Sequence, residues 1–206
     1  MTVLVVDYGM GNLGSVRRAL EECGASVLIS DDPHDLKLAS QILLPGVGAF
    51  CDGMDHLSKG GWIEALQKAV LEDQIPVLGI CLGMQLMMSQ GDEGGGSPGL
   101  GFFPGKVRKM VPQPQERIPH VGWNELRICR PDPILQGILN GTDFYFVHSY
   151  CVDPDDSNQV IAQVPYAGNV PAVIGRDNIW GAQFHPEKSA KAGFQLIRNF
   201  LETSTC

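Results

Sequence analysis

The 206 residues predict an α/β protein built on an open, mostly parallel sheet with helices on both faces and an antiparallel extension in its second half. Two observations carry that reading. In the first third, apolar runs of strand length alternate with amphipathic stretches, and strands that alternate with helices return to a parallel sheet through right-handed crossovers. Beyond Gly91 the texture changes to short strand-like pieces, which extend the same sheet with antiparallel strands.

Thr2–Asp7 (TVLVVD) is a continuous apolar run of buried-strand length. After it Val16, Ala19, Leu20 and Cys23 recur at helical spacing, with Asn12 as a candidate N-cap. Val27–Ile29 and Gln41–Leu44 read as further strands, the second ending in Pro45-Gly46. Between Gly53 and Asp73 the residues Trp62, Ala65, Leu66, Ala69 and Val70 form one apolar helical stripe, and Pro76–Ile80 is another short buried strand. Gly94–Gly99 is a turn region. Strands are then expected at Lys106–Met110, Phe144–Val147, Val160–Val164, Ala172–Arg176 and Ile179–Phe184. Phe194, Ile197, Phe200 and Leu201 make a closing amphipathic helix. Neither a repeat nor a linker interrupts the chain, so one domain over residues 1–206 is expected, burying roughly 70% of its unfolded surface.

Composition removes several function classes. A formal charge of −8 with no basic block argues against a nucleic-acid partner. No apolar run approaches the roughly eighteen residues of a membrane span, and Thr2–Val6 is too short and lacks the basic flank of a secretory signal, so a soluble cytoplasmic protein is expected, with no membrane partner. Cys23, Cys51, Cys81, Cys129, Cys151 and Cys206 show neither the density of a disulfide framework nor a CxxC pair for zinc. They read as reduced thiols, and no metal or cofactor is expected.

Gly79-Ile80-Cys81-Leu82-Gly83 has the form glycine-x-nucleophile-x-glycine at the junction of a strand and a helix starting near Met84. A sharp turn there crowds the backbones until only glycine fits at the flanks, and it lifts the nucleophile above the sheet. The helix N-terminus favours a thiolate and leaves the Leu82 amide free for an oxyanion. A buried core cysteine is the alternative, against which the paired glycines weigh. His185-Pro186-Glu187 follows an apolar run, and residues i and i+2 of an extended segment share a side, which suits a carboxylate orienting an imidazole. Alone, such a pair is as readily a surface pair or a satisfied buried histidine; beside Cys81 it reads as acid/base machinery. Pro45-Gly46-Val47-Gly48 ends a strand at the same sheet edge, where the Val47 amide is a candidate second oxyanion donor or the segment is an ordinary turn.

These segments resemble the class I (triad) glutamine amidotransferases. The nucleophile motif is similar to Gly79–Gln85 (GICLGMQ) and the second motif to Phe184–Glu187 (FHPE). Asp7–Asn12 (DYGMGN), Pro45–Phe50 (PGVGAF), Pro119–Asn124 (PHVGWN), Phe144–Tyr150 (FYFVHSY) and His185–Ser189 (HPEKS) extend the likeness over almost the whole chain and, within the family, are similar to the glutaminases of histidine biosynthesis. The resemblance implies a Rossmann-like sheet, Cys81 as nucleophile, His185 as acid/base, Glu187 as its orienting carboxylate, and the Val47 and Leu82 amides as oxyanion donors. It implies glutamine as substrate, held in a site including Gly48, Gln85, Glu93, Ser149 and Tyr150. Cys151 stands where the family pattern leads one to expect a larger residue. It also implies a heterodimer with a separate cyclase, a (β/α)₈ barrel that receives the ammonia, and contacts to it from Asn12, Trp123 and Lys188. Met10 and Phe50 are further apolar candidates for that surface, although both read better as core. Three other readings remain at this level: another glutaminase of the superfamily, a stand-alone Cys-His hydrolase, and a flavodoxin-like binding protein without a reaction.

Overall fold

The computed structural model describes residues 2–203, so Cys206 lies outside the described residues. The first half runs β1 (Thr2–Val6), α1 (Leu13–Glu22), β2 (Ser26–Ser30), β3 (Gln41–Leu44), α2 (Phe50–Lys59), α3 (Trp62–Gln67), β4 (Val77–Ile80) and α4 (Leu82–Leu86). The second adds β5 (Met88–Gly91), β6 (Ser97–Pro98), β7 (Phe103–Lys109), β8 (His120–Glu125), β9 (Arg127–Ile128), β10 (Asp143–His148), β11 (Tyr150–Pro154), β12 (Val160–Val164), β13 (Val170–Arg176), β14 (Ile179–Ala182) and α5 (Ala190–Glu202).

The main sheet has the order β2-β1-β3-β4-β14-β13-β12-β9. Its first five strands are parallel, and β13, β12 and β9 continue it antiparallel. Alternation along the strands divides two cores. Val3, Val5, Leu43, Leu78 and Ile80 pack with α1 and α5 residues such as Leu20 and Phe200. Leu4, Val6, Ile42, Leu44 and Val77 pack on the other face with Phe50, Leu57, Trp62 and Leu86 from α2, α3 and α4. Asn12 caps α1 as expected, its side chain accepting from the Ser15 N–H at 3.4 Å.

Two expectations need correction. The single helical stripe between Gly53 and Asp73 is two helices and a π-helical turn over Lys68–Glu72. The first helix begins at Phe50 and stops at Gly60-Gly61, where Gly61 takes φ +71°, a conformation glycine supplies without steric cost. The second-half strands also do not all join the main sheet. The piece expected at Lys106–Met110 belongs to a four-stranded sheet, β11-β7-β5-β6, and the one at Phe144–Val147 pairs with β8 in a two-stranded ribbon. Both sheets are made from segments whose sequence partners, Met88–Gly91, His120–Glu125 and Tyr150–Pro154, mix polar residues into the alternation and so carry a weak strand signal.

The turn between β4 and α4 is the tightest place in the fold. A Cβ on Gly79 would stand 2.8 Å from the backbone of Gly83 and Met84, and one on Gly83 would overlap the Leu44 carbonyl of β3. Only two glycines allow α4 to start directly above the neighbouring strands. Gly83→Ala is therefore expected to lower unfolding stability by about 3 kcal/mol or more in a denaturant titration. Gly14→Ala, where an added Cβ meets nothing, should raise it by about 0.5 kcal/mol through helix propensity alone. Equal effects at the two positions would contradict this account of the turn.

Candidate active site

Cys81 occupies that turn with φ +53° and ψ −109°, a left-side conformation that costs a non-glycine residue about 1–3 kcal/mol. Its N–H is anchored to Ala182 O of β14 at 2.8 Å, and the side chain is buried. The sulfur lies 3.9 Å from Val147 O and 3.8 Å from Gln183 Nε2, which can donate to it.

His185 follows β14 on the neighbouring loop. Its N–H donates to Tyr145 O at 3.0 Å, and Ser189 Oγ donates to His185 O at 2.7 Å while accepting from Tyr145 N at 3.0 Å. The loop is thus pinned to β10 through both polar groups of one residue. Ring nitrogen Nδ1 meets Glu187 Oε1 at 2.8 Å, with the two side chains only 3% and 2% exposed. Nε2 is buried without a hydrogen-bond partner among the described residues. Burial pulls the imidazole's pKa down, but the neighbouring Cys81 sulfur and the Glu187 carboxylate more than offset this and raise it to about 9. The sulfur is close enough to exert that effect without making a well-formed hydrogen bond to the ring. A cysteine sulfur, an imidazole that holds a proton at neutral pH and a carboxylate against its Nδ1 therefore line up at the carboxyl edge of the parallel sheet.

A cavity of about 330 Å³ opens there, in the size range of a small-molecule site. Its walls include Val47, Gly48, Cys81, Leu82, Gln85, Glu93, Ser149, Tyr150 and His185, which brings together every candidate substrate and oxyanion residue of the sequence reading. Gln85 Nε2 donates to Tyr150 O and to Gln183 Oε1, both at 3.0 Å, leaving no chain donor to its own carbonyl among the described residues. Glu93 Oε2 accepts from the Phe50 N–H at 2.7 Å, at the positive end of α2.

The two residues whose amides are expected as oxyanion donors line the cavity, and both amides are engaged. The Leu82 N–H donates to Gly46 O and the Val47 N–H to Met10 O, each at 3.3 Å. One peptide explains both: the Gly46–Val47 unit points its carbonyl at the first turn of α4 and its N–H away. The sequence reading had the Leu82 amide free because a first-turn amide lacks a helical partner; the Gly46 carbonyl supplies a partner from outside the helix.

The family model for glutamine amidotransferase class-I matches residues 4–203. The chain belongs to the class I glutamine amidotransferases. It is 44% identical over 203 residues to "Imidazole glycerol phosphate synthase subunit HisH" of Syntrophotalea carbinolica, covering 96% of this chain and 98% of that one. It is 48% identical over 198 residues to the HisH 1 subunit of Campylobacter jejuni, with the same coverage. A solved structure titled as a glutamine amidotransferase shares the fold at TM-score 0.76 and 19% identity, over 97% of each chain.

In this amidotransferase the candidate docking residues do not all fall together. Trp123 is 52% exposed and meets Tyr145 edge-on at 6.0 Å, and exposed Lys188 places Nζ 5.9 Å above the same Tyr145 ring. Asn12 caps α1, Met10 is half-buried, and Phe50 is fully buried core. Cys151 is likewise buried. Sequence reasoning missed Gln183, which touches both the Cys81 sulfur and Gln85, and His148 in the cavity wall. Gln183 had a signal: it is the one amide side chain in the apolar run before His185.

The protonation state can be read directly. In an NMR titration, the His185 ring should stay protonated through neutral pH and lose its proton near pH 9, and Glu187→Gln should move that midpoint down. A ring already neutral at pH 7 in the unmodified chain would refute the charge pattern described here.

Proposed function

We propose that this chain is the glutaminase subunit of an imidazole glycerol phosphate synthase of histidine biosynthesis, releasing ammonia from glutamine and passing it to a separate (β/α)₈-barrel cyclase. That partner uses the ammonia to make imidazole glycerol phosphate and AICAR. The observation that carries the proposal is the buried Cys81, His185 and Glu187 grouping at one cavity, in a chain that relatives named as HisH match over 96% of its length.

In the proposed cycle Cys81 sulfur attacks the side-chain carboxamide carbon, and the carbonyl π electrons move to oxygen. His185 gives its proton to the amide nitrogen as the C–N bond breaks, releasing ammonia and leaving a γ-glutamyl thioester. Water then adds to the thioester carbon while His185 takes its proton, and the C–S bond breaks with its electron pair returning to the Cys81 sulfur. This frees glutamate, its new carboxyl group giving its proton to solvent, and restores the sulfur beside a protonated His185. Glu187 keeps the ring aimed and stabilises its charge. Gln85, Glu93, Gly48, Ser149 and Tyr150 hold the glutamine amino and carboxylate groups. Trp123 and Lys188, gathered on Tyr145, form the centre of the barrel-docking face, with Asn12 a separate contact. No helix of the described residues is long and apolar enough to cross a membrane, and the proposed setting is the cytoplasm.

The oxyanion peptide is the proposed switch. Turning the Gly46–Val47 unit over would release the Leu82 N–H and bring in the Val47 N–H at once, completing a two-donor oxyanion hole in one motion. Support comes from the two 3.3 Å bonds that hold the resting orientation, both longer than the usual 2.7–3.2 Å. Docking of the loaded partner would favour the turned state only through better contacts with it.

Cys81→Ala should abolish glutamine-dependent synthesis while leaving the partner fully active with ammonium salts; loss with both nitrogen sources would point to failed assembly instead. Val47→Pro, which deletes the N–H, is expected to cut partner-stimulated glutamine hydrolysis by about a hundred- to a thousandfold. Circular dichroism and a partner titration would verify that fold and docking persist. Full stimulation in that variant, or rapid hydrolysis by the unmodified chain alone, would sink the switch.

A further inference from the structure

Behind the Ser149-Tyr150 wall of the cavity runs a chain of polar groups that the proposed chemistry does not use. His120 and His148 face each other across the β8–β10 ribbon, 1% and 6% exposed. His148 Nδ1 lies 2.8 Å from Tyr150 O, His148 Nε2 lies 3.1 Å from His120 Nδ1, and His120 Nε2 lies 2.7 Å from Asn124 Nδ2. Rings stack on His120 from Tyr166 at 3.9 Å and Phe146 at 4.8 Å, which fixes its plane.

The direction of every bond in this chain follows from its end. A carbonyl oxygen only accepts, so His148 Nδ1 must carry a hydrogen and its Nε2 is bare. His120 Nδ1 must then donate, its own Nε2 is bare, and the Asn124 amide donates to it. Both rings are neutral in this arrangement, in agreement with burial, which pushes each down to about 4. The far end matters for the site: Tyr150 O also receives Gln85 Nε2, so it is gripped by one donor from the ribbon and one from α4. On the ribbon's opposite face, Val121 and Trp123 of the same strand are exposed. Among the described residues the two strands pair only with each other.

We infer that His120 is a positioning residue: acting through His148 it sets the Tyr150 carbonyl and the Ser149-Tyr150 wall, so that displacement of β8 from its outer face reaches the glutamine site. This rests on the function proposed above. His120 touches no reacting atom. Its effect is on how well the cavity is shaped for glutamine and on how strongly that shape follows the partner.

The test uses the complete complex with the barrel cyclase. His120→Phe keeps a ring between Tyr166 and Phe146 but removes both hydrogen bonds; His120→Asn offers an amide N–H near the Nδ1 position. The expected result is a KM for glutamine raised roughly tenfold in His120→Phe, with a smaller change in kcat and partner affinity unchanged, and partial recovery in His120→Asn. Calorimetry of glutamine binding in a Cys81→Ala background should show the same loss, separating binding from chemistry. Should His120→Phe fail to fold, ¹⁵N spectra of the unmodified chain still decide the matter. His120 and His148 must both appear as neutral Nδ1–H tautomers near neutral pH, and an imidazolium or an Nε2–H tautomer at either position overturns the inference. An unchanged KM in a folded His120→Phe complex overturns it equally. Absence of glutamine turnover by the unmodified complex overturns the proposed function, and with it this role for His120, whereas the first two failures leave that function standing.

Discussion

The site hangs on one close approach of backbones. Helix α4 begins immediately above β3 and β4, separated from them at Gly79 and Gly83 by hydrogen atoms alone, and this forces the intervening Cys81 into a positive-φ conformation. The strain, about 1–3 kcal/mol, is a noticeable part of a net folding stability of about 5–15 kcal/mol. It persists because β4 is central, flanked by β3 and β14 and buried along its length, and because the Ala182 carbonyl of β14 accepts the N–H of the strained residue. Everything else in the cavity is placed relative to the sulfur so lifted. The loop after β14 brings His185 alongside, and the end of β3 brings the Gly46–Val47 peptide against the first turn of α4.

Environment assigns three nearby histidines opposite charge states. His185 faces a sulfur and a carboxylate, and its pKa rises; buried His148 meets a carbonyl and the charge of His185, buried His120 meets an amide and His148, and theirs fall. The Cys81 sulfur, and after it Glu187, makes the difference, since burial by itself lowers all three. A cationic ring and a neutral hydrogen-bonded pair thereby stand side by side, each confined to one protonation state across the neutral range.

The parallel half of the fold was legible because its strands are uninterrupted apolar runs, as buried parallel strands must be. The partly polar strands Met88–Gly91, His120–Glu125 and Tyr150–Pro154 were not, since their alternation is completed by partners remote in sequence. Among the site residues, Cys81, His185 and Glu187 stand out through spacing and flanking glycines. What spacing could not disclose is the orientation of a single peptide: Gly46 and Gly48 announce freedom to turn, not which way the unit faces. Nor does a lone His120 or His148 reveal that the two meet, because antiparallel pairing across 28 residues decides it.

In the switch proposed above, the resting Gly46–Val47 peptide also sets a quantity of metabolic consequence. Because both candidate oxyanion amides have partners in this state, idleness in that proposal is a well, and the fraction of molecules outside it is a leak of nitrogen in the absence of demand. Each bond is long, so the well is shallow, and a small difference in contact energy suffices to empty it. A deeper well would waste less glutamine but answer more sluggishly to the same signal. Thrift and responsiveness are therefore opposed through the length of two hydrogen bonds.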